Sequence, residues 1–336
     1  MSAPEADATP GAGRTSRSRR LQQLRVVLLT AAVGLAIFAL VDYAHKLGPK
    51  WHQLSPGSVA AAAVAVVVGL LATAACWRSI LADLGSRLPW LTAFRILLVS
   101  QVGKYLPGAV WPYLAQMEAG RRHGVPTRRM AATGLLSIAI AVISGLVVAA
   151  ATLPLVSPSA RHRYGLLFVF APLLLVLLHP RVLAWLLALG MRLIRRPGEP
   201  PRLTWRGIGT AVGWQLVAWL ANGVQIWFLA HTLGAHQARA LPCAVGAFAL
   251  AWVVGFLVVI SPAGAGAREA AMIVALAPVV DRPAAVLIAL VSRGLTTVGD
   301  LTLAAASWLA DRRAGDLPRH LEADRAPRAD QDPVAR

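Results

Sequence analysis

Along the chain, long apolar runs without charge alternate with short stretches rich in arginine. The uncharged runs cover residues 26–41, 59–77, 130–154, 164–178, 207–230 and 240–260. A further run, 283–310, is long enough to join them but carries Arg293 and Asp300. A helix needs about 20 apolar residues to cross the hydrocarbon core, or about 17 at the short end. Backbone groups find no water to bond there, so segments that cross must be helices. The pattern predicts seven spans, with 164–178 short on its own and His179-Pro180 acting as a kink.

Three segments fit this scheme less well. Residues 94–112 are apolar but broken by Gly103, Lys104, Pro107, Gly108 and Pro112. Residues 261–280 are broken by Pro262, Gly264, Gly266 and the Arg268-Glu269 pair. Residues 182–194 are short, are followed by Arg195 and Arg196, and read as an interfacial helix. Arginines crowd the first 25 residues, the stretch 121–129 and the stretch 181–206. Such clusters stay in the cytoplasm. The N-terminus is therefore expected inside, and 94–112 is expected to dip in and return. The same rule favours a crossing segment over 261–280, giving eight passes with both ends cytoplasmic. The expected fold is an all-α, polytopic transmembrane bundle of seven to eight spans in the plasma (inner) membrane. Its parts are a disordered basic N-terminus (1–25), a transmembrane domain (26–310) and a disordered tail (311–336). The tail mixes six acids with six arginines.

Composition narrows the class. The 336 residues are 57% hydrophobic and only 14% charged, with a mean hydropathy of +0.60. That excludes a disordered chain, a nucleic-acid-binding domain and a disulfide scaffold. A net charge of +18, spread between apolar runs, points to anionic lipid headgroups rather than nucleic acid. Cys76 and Cys243 sit inside apolar runs and read as packing residues. The histidines lack metal-ligand spacing, no aspartate pair of the kind that holds magnesium-diphosphate occurs, and Gly103-Lys104 lacks the glycine spacing of a nucleotide-binding loop. No cofactor, metal or enzymatic activity is expected.

The two broken segments echo each other. Each has a Pro/Gly break, a short helix, a second proline and an apolar helix. The proline-to-proline distances are 19 residues (Pro107 to Pro126) and 21 residues (Pro262 to Pro283). Paired, interrupted segments in two halves of a membrane protein mark a transport site, because a broken helix exposes N–H groups and a positive dipole end. The hinge residues of this expected repeat are Gly103, Pro107, Gly108, Pro262, Gly264 and Gly266.

Ionisable residues inside apolar segments are costly and face a cavity or a partner. Arg293 and Asp300 are seven residues apart, which places them on one helix face about 10 Å apart along the axis. They form either a polar seam for a headgroup, with Asp300 open to a proton-coupled role, or contacts that assemble helices. Arg268 suits a lipid phosphate as a two-pronged donor. Glu269 beside it either caps nearby N–H groups or pairs with Arg293. Lys104, at the first break, is a phosphate contact or a snorkelling side chain. Glu118 with Arg121 and Arg122 reads as an ordinary intrahelical ion pair, Gln215, Asn222 and Gln225 as interhelical bonds, and the tryptophans mostly as interface anchors.

The run Gly103-Lys104-Tyr105-Leu106-Pro107-Gly108 with Gly124-Val125-Pro126, and the run Pro262-Ala263-Gly264-Ala265-Gly266-Ala267-Arg268-Glu269-Ala270-Ala271, resemble the transmembrane domain of lysylphosphatidylglycerol synthases. The resemblance covers residues 20–312. It implies an integral membrane protein that translocates or handles a lipid. Related domains move aminoacylated phosphatidylglycerol between leaflets or accompany polyprenyl-linked sugar transfer. The full synthase adds a soluble aminoacyl-transferase domain, which the stretch after Asp311 is too short to supply. The expected function is translocation of an anionic or phosphate-bearing lipid, either a phospholipid or a polyprenyl lipid. The alternatives are a membrane subunit of a polyprenyl-phosphate sugar transfer system and a non-catalytic partner of a neighbouring lipid-modifying enzyme.

Overall fold

The computed structural model describes residues 52–105, 110–156, 158–193, 203–258 and 264–315. Ten α-helices, and no strands, occur among them: α1 (Pro56–Asp83), α2 (Trp90–Gln101), α3 (Trp111–Arg122), α4 (Thr127–Thr152), α5 (Pro158–Leu177), α6 (Pro180–Leu193), α7 (Trp205–Thr232), α8 (Ala240–Leu257), α9 (Ala267–Leu276) and α10 (Arg282–Gly315). A 3-10 turn, Val102–Tyr105, continues α2, and another, Leu153–Leu155, ends α4.

Helix ends follow local chemistry. Pro56 opens α1 and the Ser55 hydroxyl accepts from the Ser58 amide at 3.1 Å. Thr204 caps α7 in the same way through Gly207 N–H at 2.9 Å. Asp83, the last residue of α1, holds that cap in place. Its carboxylate accepts from the Thr204 amide at 3.0 Å and from the Thr204 hydroxyl at 2.6 Å. A negative charge at the start of α7 also suits the helix dipole. This clasp joins α1 to α7, which share the most extensive helix contact among the described residues. Asp83→Ala is expected to lower stability by about 1 kcal/mol, as loss of a capping contact does, measured as a shift in the unfolding midpoint of purified protein.

Four described helices are long and apolar enough to cross a bilayer: Pro56–Asp83, Thr127–Leu155, Ala240–Leu257 and Arg282–Ala310. Val169–Leu177 and Pro180–Leu193 make a fifth if taken as one span, but they are bent by 73° across His179. The seven to eight spans expected from the apolar runs are thus not reached among the described residues. Three parts of the chain make the difference. Residues 26–41 lie outside the described part. The run 164–178 and the segment read as interfacial, 182–194, are the two arms of the bent pair. Helix α7 is 28 residues long, but Gln215, Asn222 and Gln225 interrupt its apolar run.

The broken segments are made of half-length helices. Helices α2 and α3 have 12 residues each, about 18 Å at the usual rise per residue. Helix α9 has 10 residues, about 15 Å, half of the roughly 30 Å core. It packs closely back onto α8. A crossing segment over 261–280, which the charge rule favours, therefore meets a helix too short to cross alone. Arginine counts report which side a loop prefers; they carry no information on helix length.

The core is built largely of alanine and β-branched residues, which let helices approach closely. Ala62, Ala149, Ala244, Ala247, Ala275 and Ala284 are fully buried, with Ile226, Leu229, Leu276 and Ile288 filling between them. Cys76 and Cys243 are free and buried in this packing.

Candidate functional site

The helices surround a partly open cavity of about 260 Å³. Its wall brings together α1, α2, α3, α4, α7, α8, α9, α10 and the 3-10 turn after α2. Both broken segments reach it, the first through Gln101, Lys104, Tyr105 and Pro112 and the second through Gly264 and Arg268.

Helix α10 is charged at two places on the cavity side, Arg293 and Asp300. They do not pair with each other. Asp300 turns to the first broken segment: Lys104 Nζ lies 2.6 Å from its Oδ2, and Tyr105 O–H donates to the same oxygen at 2.7 Å. Arg293 turns to the second: its Nη1 lies 3.7 Å from Glu269 Oε1. One helix therefore staples both breaks. Asp300 is only 1% exposed, whereas the Lys104 side chain is 32% exposed. The other carboxylate oxygen of Asp300, Oδ1, has no hydrogen-bond partner among the described residues.

Glu269 does both things open to it on the sequence. Besides facing Arg293, its Oε2 accepts from Gly266 N–H at 2.6 Å, closing the first turn of α9. It stands behind the wall rather than in it. Arg268, one residue earlier, is in the wall. Its guanidinium lies 4.8 Å from the centre of the Phe248 ring, within cation–π range. Among the described residues Arg268 has no carboxylate and no hydrogen-bond partner. A planar cation with its donors unspent, beside a cavity, is suited to a phosphate.

Close backbone approach shapes the second break. Gly264 has φ +71°, and a Cβ built on it would fall 2.5 Å from Gly255 O and 2.7 Å from Gly255 Cα. The chain entering α9 thus lies directly on the end of α8, and this contact aims Arg268 at Phe248. Gly266 (φ +85°) turns the chain into α9. Gly264→Ala is expected to cost about 1–3 kcal/mol from the left-handed conformation and the clash together, measured by thermal unfolding in detergent. Gly103 at the first break has a different role. It makes room for α3, since a Cβ there would meet Pro112 N at 3.0 Å and the Trp111 carbonyl carbon at 3.1 Å. Gly103 and Gly266 do not line the cavity, and Pro107, Gly108 and Pro262 lie outside the described residues.

The remaining wall is polar and aromatic. Gln215 and Asn222 from α7 line it, while Gln225 is fully buried and donates across to the Ser292 carbonyl of α10 at 3.4 Å. Phe248, Trp252 and Phe256, spaced four apart on α8, form one face of the wall with Trp219 of α7. Trp252 and Phe256 are stacked at 5.4 Å, and Trp219 meets Trp252 edge-on at 5.4 Å. The reading of the tryptophans as interface anchors is corrected at two of them. Trp77 and Trp219 are each 2% exposed, and they donate to Gln116 Oε1 and Ser144 Oγ, both at 3.0 Å. Buried indoles need such a partner. Glu118 makes the expected surface pairs with Arg121 and Arg122. The sequence reading missed Tyr105 and the aromatic wall. The signals were present: a phenol beside Lys104, and aromatic residues at helical i, i+4 spacing.

No curated protein matches the chain. A family model does: it covers residues 19–304, which takes in both broken segments, the aromatic wall and the Arg293–Asp300 face. The chain belongs to the lysylphosphatidylglycerol synthase TM region family.

Proposed function

We propose that this membrane protein of a lipid-related family translocates an anionic, phosphate-bearing lipid between leaflets without altering its covalent structure. The observation that carries the reading is Arg268, a cation in the cavity wall with no close carboxylate and no hydrogen-bond partner among the described residues. A buried charge without a partner is costly, and a phosphate supplies the missing partner. The half-length helices on either side support a path in which the headgroup passes through polar surroundings while acyl chains stay in lipid. The arginine clusters support a cell-membrane location with the N-terminus on the cytoplasmic side.

The test is reconstitution of the full chain in phosphatidylcholine vesicles carrying a trace of fluorescent lipid. Labelled phosphatidylglycerol in the inner leaflet is expected to become accessible to an external quencher well above the rate in protein-free vesicles, and labelled phosphatidylcholine to lag behind it. Equal rates with and without protein would overturn the proposal.

A further inference from the structure

The charges around the cavity do not cancel. Lys104, Arg268, Arg293 and Asp300 line it, and Glu269 stands behind Arg293. Lys104 and Asp300 neutralise each other at 2.6 Å, and Arg293 and Glu269 face each other at 3.7 Å. Three cations meet two carboxylates, so the described site carries one net positive charge, and Arg268 is the cation outside both close pairs. In a recess between apolar helices, where the dielectric is lower than in water, each uncompensated charge of either sign is expensive. A phosphodiester bears one negative charge. A phosphomonoester bears roughly −1.5 to −2 at neutral pH.

We infer that the cavity selects a headgroup with one net negative charge, a phosphodiester, over a phosphomonoester or a diphosphate. Asp300 sets that limit by neutralising Lys104, which would otherwise offer a second positive charge. The inference rests on the reading of the cavity as a lipid-headgroup site and adds the charge class of its occupant. Asp300 acts here as a specificity-determining residue: it holds the neighbouring lysine out of use.

The experiment compares labelled phosphatidylmethanol with labelled phosphatidic acid in vesicles containing the full chain. The two headgroups differ by one methyl group on the phosphate, and so mainly by charge. Wild-type protein is expected to transfer phosphatidylmethanol at least roughly tenfold faster, a lower bound for one unit charge within a few ångströms at protein-like dielectric. Asp300→Asn raises the net charge by one while keeping an acceptor for Tyr105, and is expected to invert the preference. Glu269→Gln adds the same charge at the other pair, keeps an acceptor for Gly266, and is expected to move the ratio in the same direction. The two variants are independent, so a folding defect in either leaves the other to decide, and the wild-type ratio decides by itself. A wild-type ratio near one, or a ratio unmoved in a folded variant, overturns the inference while leaving lipid translocation standing. Failure to move any anionic lipid overturns both.

Discussion

Arg268→Ala is expected to slow transfer of an anionic lipid roughly a hundredfold in reconstituted vesicles, because two charge-assisted hydrogen bonds to a phosphate are lost together. The protein should still fold. The two acids near it each keep a closer cation, Glu269 with Arg293 and Asp300 with Lys104, so its removal strands no opposite charge, and the contact with Phe248 is given up. Arg268→Lys separates charge from shape. It keeps the positive charge but not the two-pronged donor, and its rate should fall between wild type and alanine. The readout is the initial rate of leaflet transfer, alongside the elution profile and melting temperature of each purified variant. Transfer at the wild-type rate in the alanine variant would remove Arg268 from the site.

Lys104→Ala should have the largest effect on stability. Asp300 is 1% exposed and keeps the Tyr105 hydroxyl as a donor. Losing the lysine leaves a buried carboxylate without a cation, which costs about 3 kcal/mol or more. The rescue makes the prediction specific. Adding Asp300→Asn to Lys104→Ala removes the stranded charge, and Tyr105 still donates to the amide oxygen, so most of the lost stability should return. Denaturant midpoints of the single and double variants measure this. Equal loss in both would mean that Lys104 contributes packing rather than charge.

Much of this site was legible in the residues themselves. The apolar runs announced the long helices, and the Pro/Gly clusters announced both breaks. Glu269 was readable as closing its own helix turn or as meeting Arg293, and it does both. What stayed hidden depends on which faces meet. Helical periodicity puts Arg293 and Asp300 on one side of α10, but it does not say that the two point to different broken segments. Tyr105 lies 195 residues from Asp300, and no period links them. Phe248, Trp252 and Phe256 were readable as a stripe but not as a cavity wall, because an apolar helix hides which of its faces is buried. Hydropathy does not settle the number of spans, because it measures solubility in lipid and not direction. It cannot show the 73° bend at His179 or the shortness of α9.

The position of α10 in the chain also bears on biosynthesis. Translation delivers the N-terminal part first, so Lys104 and Glu269 both leave the ribosome before the helix that neutralises them. Until Arg293 and Asp300 arrive, each half-built break carries an unmatched charge into a medium that disfavours it. Closure of the interior is thereby deferred to the last described helix, and a chain truncated before residue 300 would insert its earlier spans yet lack the locked centre.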